Sequence, residues 1–171
     1  MWNHILWRQF GAAIDMLEAA LHACPDELWS DPTHAPTWKS NDVVGFWYVV
    51  YHTLFWLDCY LSGGRADFAP PHPYTLDERE PWKLPARPYT KQELQTYLDY
   101  GREKCRTTLA QLTDAGAARV CALPWASLTF AELLIYNLRH VQHHTGQLQL
   151  MLRQQVAAAP GWVIATSSPL S

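Results

Sequence analysis

Three of the eight histidines in this 171-residue chain fall within five positions, at His140, His143 and His144. The surrounding residues have the apolar spacing of an amphipathic helix, on which residues four apart share one face. His140 and His144 have that spacing, so their imidazole rings can bind one metal ion together. A metal site needs more ligands than two, and a second helix must supply them. The cluster therefore predicts one side of a metal site.

The positions of these histidines around the helix separate them into two groups. At about 100° per residue, the apolar residues form a stripe that runs from about +20° to +120° relative to His140. His144 lies inside this stripe at about +40°, His140 lies at its edge, and His143 lies outside it at about −60°. We therefore assign His140 and His144 to an inward site and His143 to its rim. The alternative is that all three are ordinary helix histidines that cap the helix dipole or fill a polar seam.

His52 is the candidate third ligand, because it lies in the strongly apolar segment 43–61. Burying an unpaired polar ring there would be costly, and ligation would offset that cost. Three neutral imidazoles with no obvious fourth ligand leave a coordination position open for water or substrate. A base for hydrolysis is not evident, since Val141 follows His140 where a zincin has glutamate. Asp58 lies about 240° around its helix from His52 and points elsewhere.

Several neighbouring residues are candidates for support of such a site. Gln147 lies about −20° from His140 on the helix and can orient a ligand or a water molecule. Tyr136 and Asn137 lie one turn before His140 and can donate hydrogen bonds to its surroundings, as His143 can from the rim. Trp56 can line a pocket above the metal. The competing interpretation is that Gln147 closes a polar seam, Tyr136 packs, Asn137 forms a hydrogen bond between helices, and Trp56 belongs to the core or a dimer interface.

The composition restricts the class of protein. The length suits a single domain over residues 1–171 that buries a core without cross-links. Hydrophobic residues make up 49% of the chain and the net charge is −3, so we expect no basic face and no nucleic-acid partner. The four cysteines are widely spaced and are predicted to be reduced core residues. The N-terminus lacks the features of a secretory signal, and polar residues interrupt segment 43–61, so we expect a cytoplasmic protein without a membrane partner.

Apolar spacing and end signals divide the chain into four helices followed by a tail. The helices are predicted at about residues 3–23, 42–62, 91–112 and 130–155, and the tail at 160–171. Ser40 or Asn41 is expected to cap the second helix, and Gly63-Gly64 to end it. Capping boxes that begin at Thr90 and Thr129, each with glutamate three residues later, open the third and fourth helices. No strand pattern is present.

Six prolines between residues 65 and 89 exclude a helix or a central strand from that segment. They are Pro70, Pro71, Pro73, Pro81, Pro85 and Pro88. Such a segment can cross the length of a bundle, whereas the other links are short and join antiparallel neighbours. The predicted fold is therefore an all-α four-helix bundle, up-down-down-up, with a long Pro-rich crossover between helices two and three. His52 can then meet His140 and His144 in the core, if the second and fourth helices face each other.

Together these features resemble the DinB/YfiT-like superfamily of metal-binding four-helix bundles, over most of the chain. The resemblance rests on His52 within residues 51–58 and on the string His140-x-x-His143-His144-x-Gly146-Gln147-Leu148. In that family the metal is held by the histidine of helix two and by the first and last histidines of the helix-four pair. These correspond here to His52, His140 and His144. Thr145 is a departure, because many members carry arginine at that position.

The resemblance implies a protein that binds a divalent metal, most plausibly zinc or nickel because imidazole suits both. Characterised relatives include thiol-dependent transferases and isomerases that use bacillithiol, mycothiol or glutathione, and proteins assigned as metal-dependent hydrolases. The chain is thus expected to activate a thiol or water against a small electrophilic molecule, and to be a homodimer. The alternative is a non-catalytic, stress-associated bundle whose metal adds stability. An open pocket above the metal would favour the enzyme.

Overall fold

The structure is a computed structural model that describes residues 2–34, 45–80, 83–157 and 159–170. This part of the chain is mostly helical, which confirms the predicted all-α class in its coarse form. In chain order the elements are helices α1 (Trp2–Ala23), α2 (Asp26–Trp29), α3 (Phe46–Leu61), α4 (Lys91–Ala110) and α5 (Asp114–Ala118), strands β1 (Val120–Leu123) and β2 (Ala126–Thr129), and helix α6 (Phe130–Val156). Short 3-10 turns lie at Pro32–His34 and Asp77–Arg79.

The four predicted helices correspond to α1, α3, α4 and α6, with small differences at their ends. Helix α3 begins at Phe46, and its predicted first residues 42–44 and caps Ser40 or Asn41 lie outside the described residues. It ends before Gly63 and Gly64, as predicted, where positive φ angles of 83° and 67° favour glycine. Both predicted capping boxes are present, at Thr90 and Thr129. Local sequence signals therefore placed most helix ends to within a few residues.

The prediction that the chain has no strand was wrong, because an antiparallel hairpin precedes α6. Strand β1 pairs with β2 in a register that joins Val120 to Thr129. With four residues each, the strands are too short to show a clear alternation of apolar and polar residues. Pro124 and Trp125 lie at the turn, which lacks the Asn-Gly or Asp-Gly pair that indicates a two-residue hairpin. The local sequence pattern therefore did not indicate the hairpin.

The core lies between the four long helices. Helix α3 packs against α6 and α4, and α1 packs against the same two helices. Fourteen of the sixteen residues of α3 are buried, and the two exceptions are His52 and Trp56, which lie one turn apart. A helix that is apolar almost all round belongs in the core of a bundle. The face that carries His52 and Trp56 is therefore the one that α3 presents to the candidate site.

The C-terminal tail lies against α1. The Thr166 backbone N–H donates a hydrogen bond of 3.0 Å to the Arg8 carbonyl oxygen, and Trp7 Nε1 donates one of 2.7 Å to the Ser168 carbonyl oxygen. Gly11 permits this approach, because a Cβ atom there would lie 2.3 Å from Thr166 Cγ2. The tail therefore belongs to the packed structure. All four cysteines are buried and free, as predicted. Among the described helices, none is both long and apolar enough to cross a membrane.

Replacing Glu93 with glutamine should destabilise the protein at neutral pH and progressively less in acid. The Arg87 guanidinium, assisted by the Thr90 cap, lowers the pKa of Glu93 from 4.5 to about 2. The carboxylate therefore stabilises the fold above about pH 4.5, and this contribution disappears as pH falls towards 2. Because Arg87 is exposed and Glu93 is partly exposed, we expect a loss of no more than about 1 kcal/mol at pH 7. Urea unfolding of the wild type and the variant at pH 7, 5, 4 and 3 measures the difference in their free energies of unfolding.

Glu132→Gln is the matched control for this prediction. Glu132 occupies the same position in the second capping box, where the hydrogen bonds from Thr129 lower the pKa of its carboxyl. Glutamine can keep the capping box in both variants. Glu93→Gln should therefore lose more stability than Glu132→Gln, because it also weakens the ion pair with Arg87. A stability difference from wild type that stays constant between pH 7 and 3 would contradict the prediction.

Candidate metal centre

Helices α3 and α6 bring His52, His140 and His144 together. One ring nitrogen from each histidine lies within 4.8 Å of those of the other two. The Nε2 atoms of His52 and His140 are 3.2 Å apart, and the His144 ring centroid lies 4.6 Å from that of His52. Three imidazole nitrogens that converge in this way fit a divalent transition metal. The group can therefore hold a metal ion.

The packing of α3 on α6 fixes this convergence. Asn137 is fully buried, and its Nδ2 donates a hydrogen bond of 3.0 Å to the Leu57 backbone carbonyl oxygen. Leu57 lies on α3 between His52 and Tyr60, which both contact α6. The bond therefore joins the two helices about one turn from the histidines. Breaking it would leave the buried Asn137 NH₂ group without this acceptor. Asn137 therefore has the interhelical role that the competing interpretation gave it, and its bond helps to set the register of α3 and α6.

Glu78 orients His52 from outside the helices. Its Oε2 atom accepts hydrogen bonds from His52 Nδ1 at 2.6 Å and from Trp56 Nε1 at 3.2 Å, and its Oε1 atom accepts one from the Tyr48 hydroxyl. A proton on Nδ1 leaves Nε2 as the nitrogen with a free lone pair. A carboxylate on the far nitrogen also makes a histidine a better metal ligand. Glu78 thus holds His52 in the tautomer that a metal requires.

No sequence pattern indicated Glu78. It lies in the Pro-rich crossover, within the 3-10 turn Asp77–Arg79, and 26 residues separate it from His52. Glu80 and Asp77 are nearby carboxylates in the same segment, and no spacing rule distinguishes Glu78 from them. Its contact with His52 is the distinguishing feature, since burial is shared with Asp77. That property belongs to the folded chain.

Gln147 orients His144 in a similar way. Its Oε1 atom accepts a hydrogen bond of 2.7 Å from His144 Nδ1, which leaves His144 Nε2 available as a ligand. His140 differs, because its Nδ1 is buried and has no hydrogen-bond partner among the described residues. The His140 ring packs instead against the edge of Tyr60, with 6.0 Å between ring centroids. The Nδ1 atoms of His52 and His144 are thus each held by a side chain, and Nε2 is the nitrogen that can ligate.

The electrostatic surroundings keep two of these rings neutral. Burial, with a contribution from His52, lowers the pKa of His140 to about 2 and that of His144 to about 4. The hydrogen bond to Gln147 acts in the opposite direction on His144 but does not outweigh burial. Metal ligation requires unprotonated imidazole. Both rings therefore have the protonation state of a ligand throughout the neutral pH range.

The remaining predicted residues lie around this centre. His143 is exposed, and its ring meets the edge of His144 with 4.9 Å between centroids. Tyr136 packs against Tyr60 and lines an outer cavity of about 490 Å³ together with His140 and His143, so one candidate ligand opens onto this cavity. Asp58 points away from His52, as the helical angle indicates, and its buried carboxylate forms an ion pair of 2.5 Å with Lys104. Asp58 is therefore a structural residue.

A second cavity, of about 580 Å³, lies beside the histidines. It is bounded by α3, the crossover and the β1–β2 hairpin, and Trp56, Tyr60, Glu78 and Trp125 contribute to its walls. We call it the aromatic cavity. Trp56 contacts the His52 ring, with 6.4 Å between centroids, and Tyr60 contacts His140. None of the three histidines lines the aromatic cavity, but these two wall residues contact the rings of His52 and His140.

Comparison with known proteins identifies relatives of the fold. The family model of the DinB superfamily matches residues 9–148. The crystal structure of a conserved protein from Enterococcus faecalis is similar, with a TM-score of 0.61 and 18% sequence identity over 88% of this chain and 94% of that one. At this identity the likeness concerns the fold alone. No match was found among the curated proteins.

Proposed function

The chain belongs to the DinB superfamily, and from this premise we propose that it binds one divalent transition-metal ion and uses it to activate a small nucleophile. The observation that carries the proposal is the convergence of His52, His140 and His144. Neutral imidazole ligands suit zinc and nickel, so these are the expected ions. Three protein ligands also leave room for a small molecule at the ion, which supports an enzyme over a purely structural site.

A bound divalent cation supplies Lewis acidity, which lowers the pKa of a thiol or of water beside it. The residues of the chain prepare the ligands for this role. Glu78 fixes His52, Gln147 fixes His144, and burial keeps His140 neutral. The supporting groups thus act before any substrate binds, which is the property of a preorganised site.

The contacts of Glu78 favour a thiol over water as the nucleophile. Hydrolysis needs a base to accept a proton from the attacking water, and a nearby carboxylate usually provides it. Both Glu78 oxygens already accept hydrogen bonds, from Tyr48, His52 and Trp56. A thiolate needs no base at the moment of attack, because its proton has already left. We therefore propose transfer of a low-molecular-weight thiol to a small electrophile.

Turnover with and without metal tests this function. The protein would be loaded with zinc or nickel and mixed with glutathione, bacillithiol or mycothiol and with 1-chloro-2,4-dinitrobenzene. The thiol sulfur bonds to the ring carbon, chloride leaves with the electron pair of its bond, and the thiol proton passes to solvent. We expect the loaded protein to exceed chelator-treated protein by at least about tenfold for one of the thiols. Dinitrophenyl thioether absorbance measures the product.

A non-catalytic metal-binding bundle is the second candidate. The observation that favours it is that the ligands come from both α3 and α6, so an ion would join two helices and stabilise the fold. A metal that raises the melting temperature without turnover of any thiol or of an ester such as p-nitrophenyl acetate would support this candidate. The same result would contradict the proposed enzyme.

We also propose the up-down-down-up order of the four long helices. Asn3 contacts the Leu112 carbonyl and His22 contacts Gln95, a pairing that supports opposite directions for α1 and α4. Tyr97 contacts Asp58, and Lys104, which lies later in α4, contacts Ser62, which lies later in the chain than Asp58; this order supports a common direction for α3 and α4.

We further propose that the chain is a single domain, forms a homodimer, acts on a small-molecule substrate and has a cytoplasmic location. The buried free cysteines support a reducing compartment.

A further inference from the structure

We infer that the aromatic cavity binds an uncharged aromatic ring, and that this ring belongs to the electrophile of the proposed reaction. The second part of the inference rests on the proposed function, whereas binding of the ring does not. The cavity of about 580 Å³ falls within the range of small-ligand pockets. Its volume leaves room for one bicyclic molecule with a small substituent.

Three rings give the cavity its recognition surface. Trp56 and Tyr60 are stacked, with 5.1 Å between centroids and 28° between planes. Trp125 meets both rings edge-on, at 5.9 Å and 6.5 Å and with 77° between planes in each case. A planar ligand can stack on one of these rings while another presents its edge, the two preferred geometries of aromatic pairs. The walls are thus complementary to an aromatic ring.

Trp125 is an unusual residue for its position. It lies at the turn of the hairpin, where small or polar residues are common, and 55% of its surface is exposed. The hairpin is held against the end of α3, where Leu123 packs on Gly64. The approach is so close that a Cβ atom on Gly64 would lie 2.1 Å from Leu123 Cδ2. The Arg119 guanidinium, 4.1 Å from the centroid of the Phe130 ring, secures the other end of β1. Trp125 is therefore presented to the cavity by a fixed support, which reduces the entropy lost on binding.

The charged residues of the cavity are engaged in internal contacts. Glu78 accepts hydrogen bonds through both oxygens, as described above. Arg79 donates to the backbone carbonyls of Arg65 and Ala66, at 2.6 Å and 3.0 Å, and to Cys59 Sγ. A cationic ligand would find the Glu78 oxygens already occupied, and an anionic ligand would have to compete with these carbonyls and Cys59 for Arg79, so either charge would lose its hydration for an incomplete replacement. The cavity should therefore select neutral rings.

The position of the cavity connects it with the histidine centre. Trp56 donates to the same Glu78 oxygen that accepts from His52, so this wall of the cavity and a candidate ligand share one partner. Tyr60 contacts His140 through its ring. A ring bound in the cavity would therefore lie across Trp56 and Tyr60 from the histidines, none of which lines the cavity, with its reactive substituent directed to that side. This placement would serve attack by a nucleophile activated there.

Calorimetric titration of the full chain with 2-naphthamide and 2-naphthoate tests the inference. The two probes have the same ring and nearly the same shape but differ in charge. Both are titrated into chelator-treated protein, so that the carboxylate cannot bind a metal, and the amide is also titrated into metal-loaded protein. We expect 2-naphthamide to bind at least about tenfold more tightly than 2-naphthoate. Equal affinities, or no binding of the amide, would overturn the inference.

Trp125→Ala should weaken amide binding about tenfold, because it removes one aromatic wall and its contact area. Trp125→Phe keeps a ring and should retain most of the affinity. Trp162→Ala is the matched control, since Trp162 is also exposed and does not line the cavity. Equal affinities of the Trp125→Ala and Trp162→Ala variants would exclude the cavity as the binding site.

His144→Ala separates the two proposals. It should lose metal but bind 2-naphthamide with the affinity of the wild type, because His144 does not line the cavity. Amide binding without metal-dependent turnover would leave the cavity in place and refute the proposed enzyme. Turnover without amide binding would refute the cavity and leave the enzyme in place.

Discussion

Replacement of His144 by alanine should abolish tight metal binding, whereas replacement of His143 should leave about one ion per chain. His144 is buried beside His52 and His140, and its Nδ1 donates to Gln147, so that Nε2 is the nitrogen that can ligate. His143 is exposed and meets only the edge of the His144 ring among these histidines. We expect the affinity of His144→Ala for zinc to fall by more than about 100-fold, beyond the loss typical of a supporting residue. Elemental analysis and competition with a chromogenic chelator measure both variants.

His52→Ala provides a second test of the same assignment from the opposite helix. It should lose metal as His144→Ala does, because each variant leaves only two imidazoles. Helix content and melting temperature in the presence of chelator establish that each variant folds. Equal metal loss from the folded His143→Ala and His144→Ala variants would refute the separate roles given to these neighbours.

Replacement of Glu78 by glutamine should lower metal affinity by about 10- to 100-fold without unfolding the protein. The amide fills the same volume and can still accept from His52 Nδ1, but it lacks the charge that strengthens His52 as a ligand. Its NH₂ group would then face the Tyr48 hydroxyl, which can accept a hydrogen bond instead of donating one. Zinc titration of wild type and variant measures the effect.

Glu80→Gln is the matched control for Glu78→Gln. Glu80 lies two residues away and is exposed, and it pairs with Lys83 at 3.2 Å. Its replacement should leave zinc affinity unchanged and should alter stability little, since exposed ion pairs contribute at most about 1 kcal/mol. A merely structural role for Glu78 would lower the melting temperature of the chelator-treated protein while zinc affinity stayed at the wild-type value. That result would contradict the orienting role.

Much of the helical framework was predictable from the sequence, because its signals are local. The capping boxes at Thr90 and Thr129 and the Gly63-Gly64 end depend on residues within one turn of each other. The same holds for the histidines of α6. Four residues along a helix place His140 and His144 on one face, and burial of His144 with exposure of His143 follows that geometry.

Only the tertiary structure decided the surroundings of the candidate site. Glu78 reaches His52 across 26 residues of a segment without helical or strand periodicity, so no local pattern selects it from the neighbouring carboxylates. The β1–β2 hairpin has strands of four residues and is fixed by its fit against Gly64, which sequence spacing does not reveal. Periodicity determines which face a residue occupies on its own helix. Which side chain meets it from a distant segment depends on how the whole chain packs.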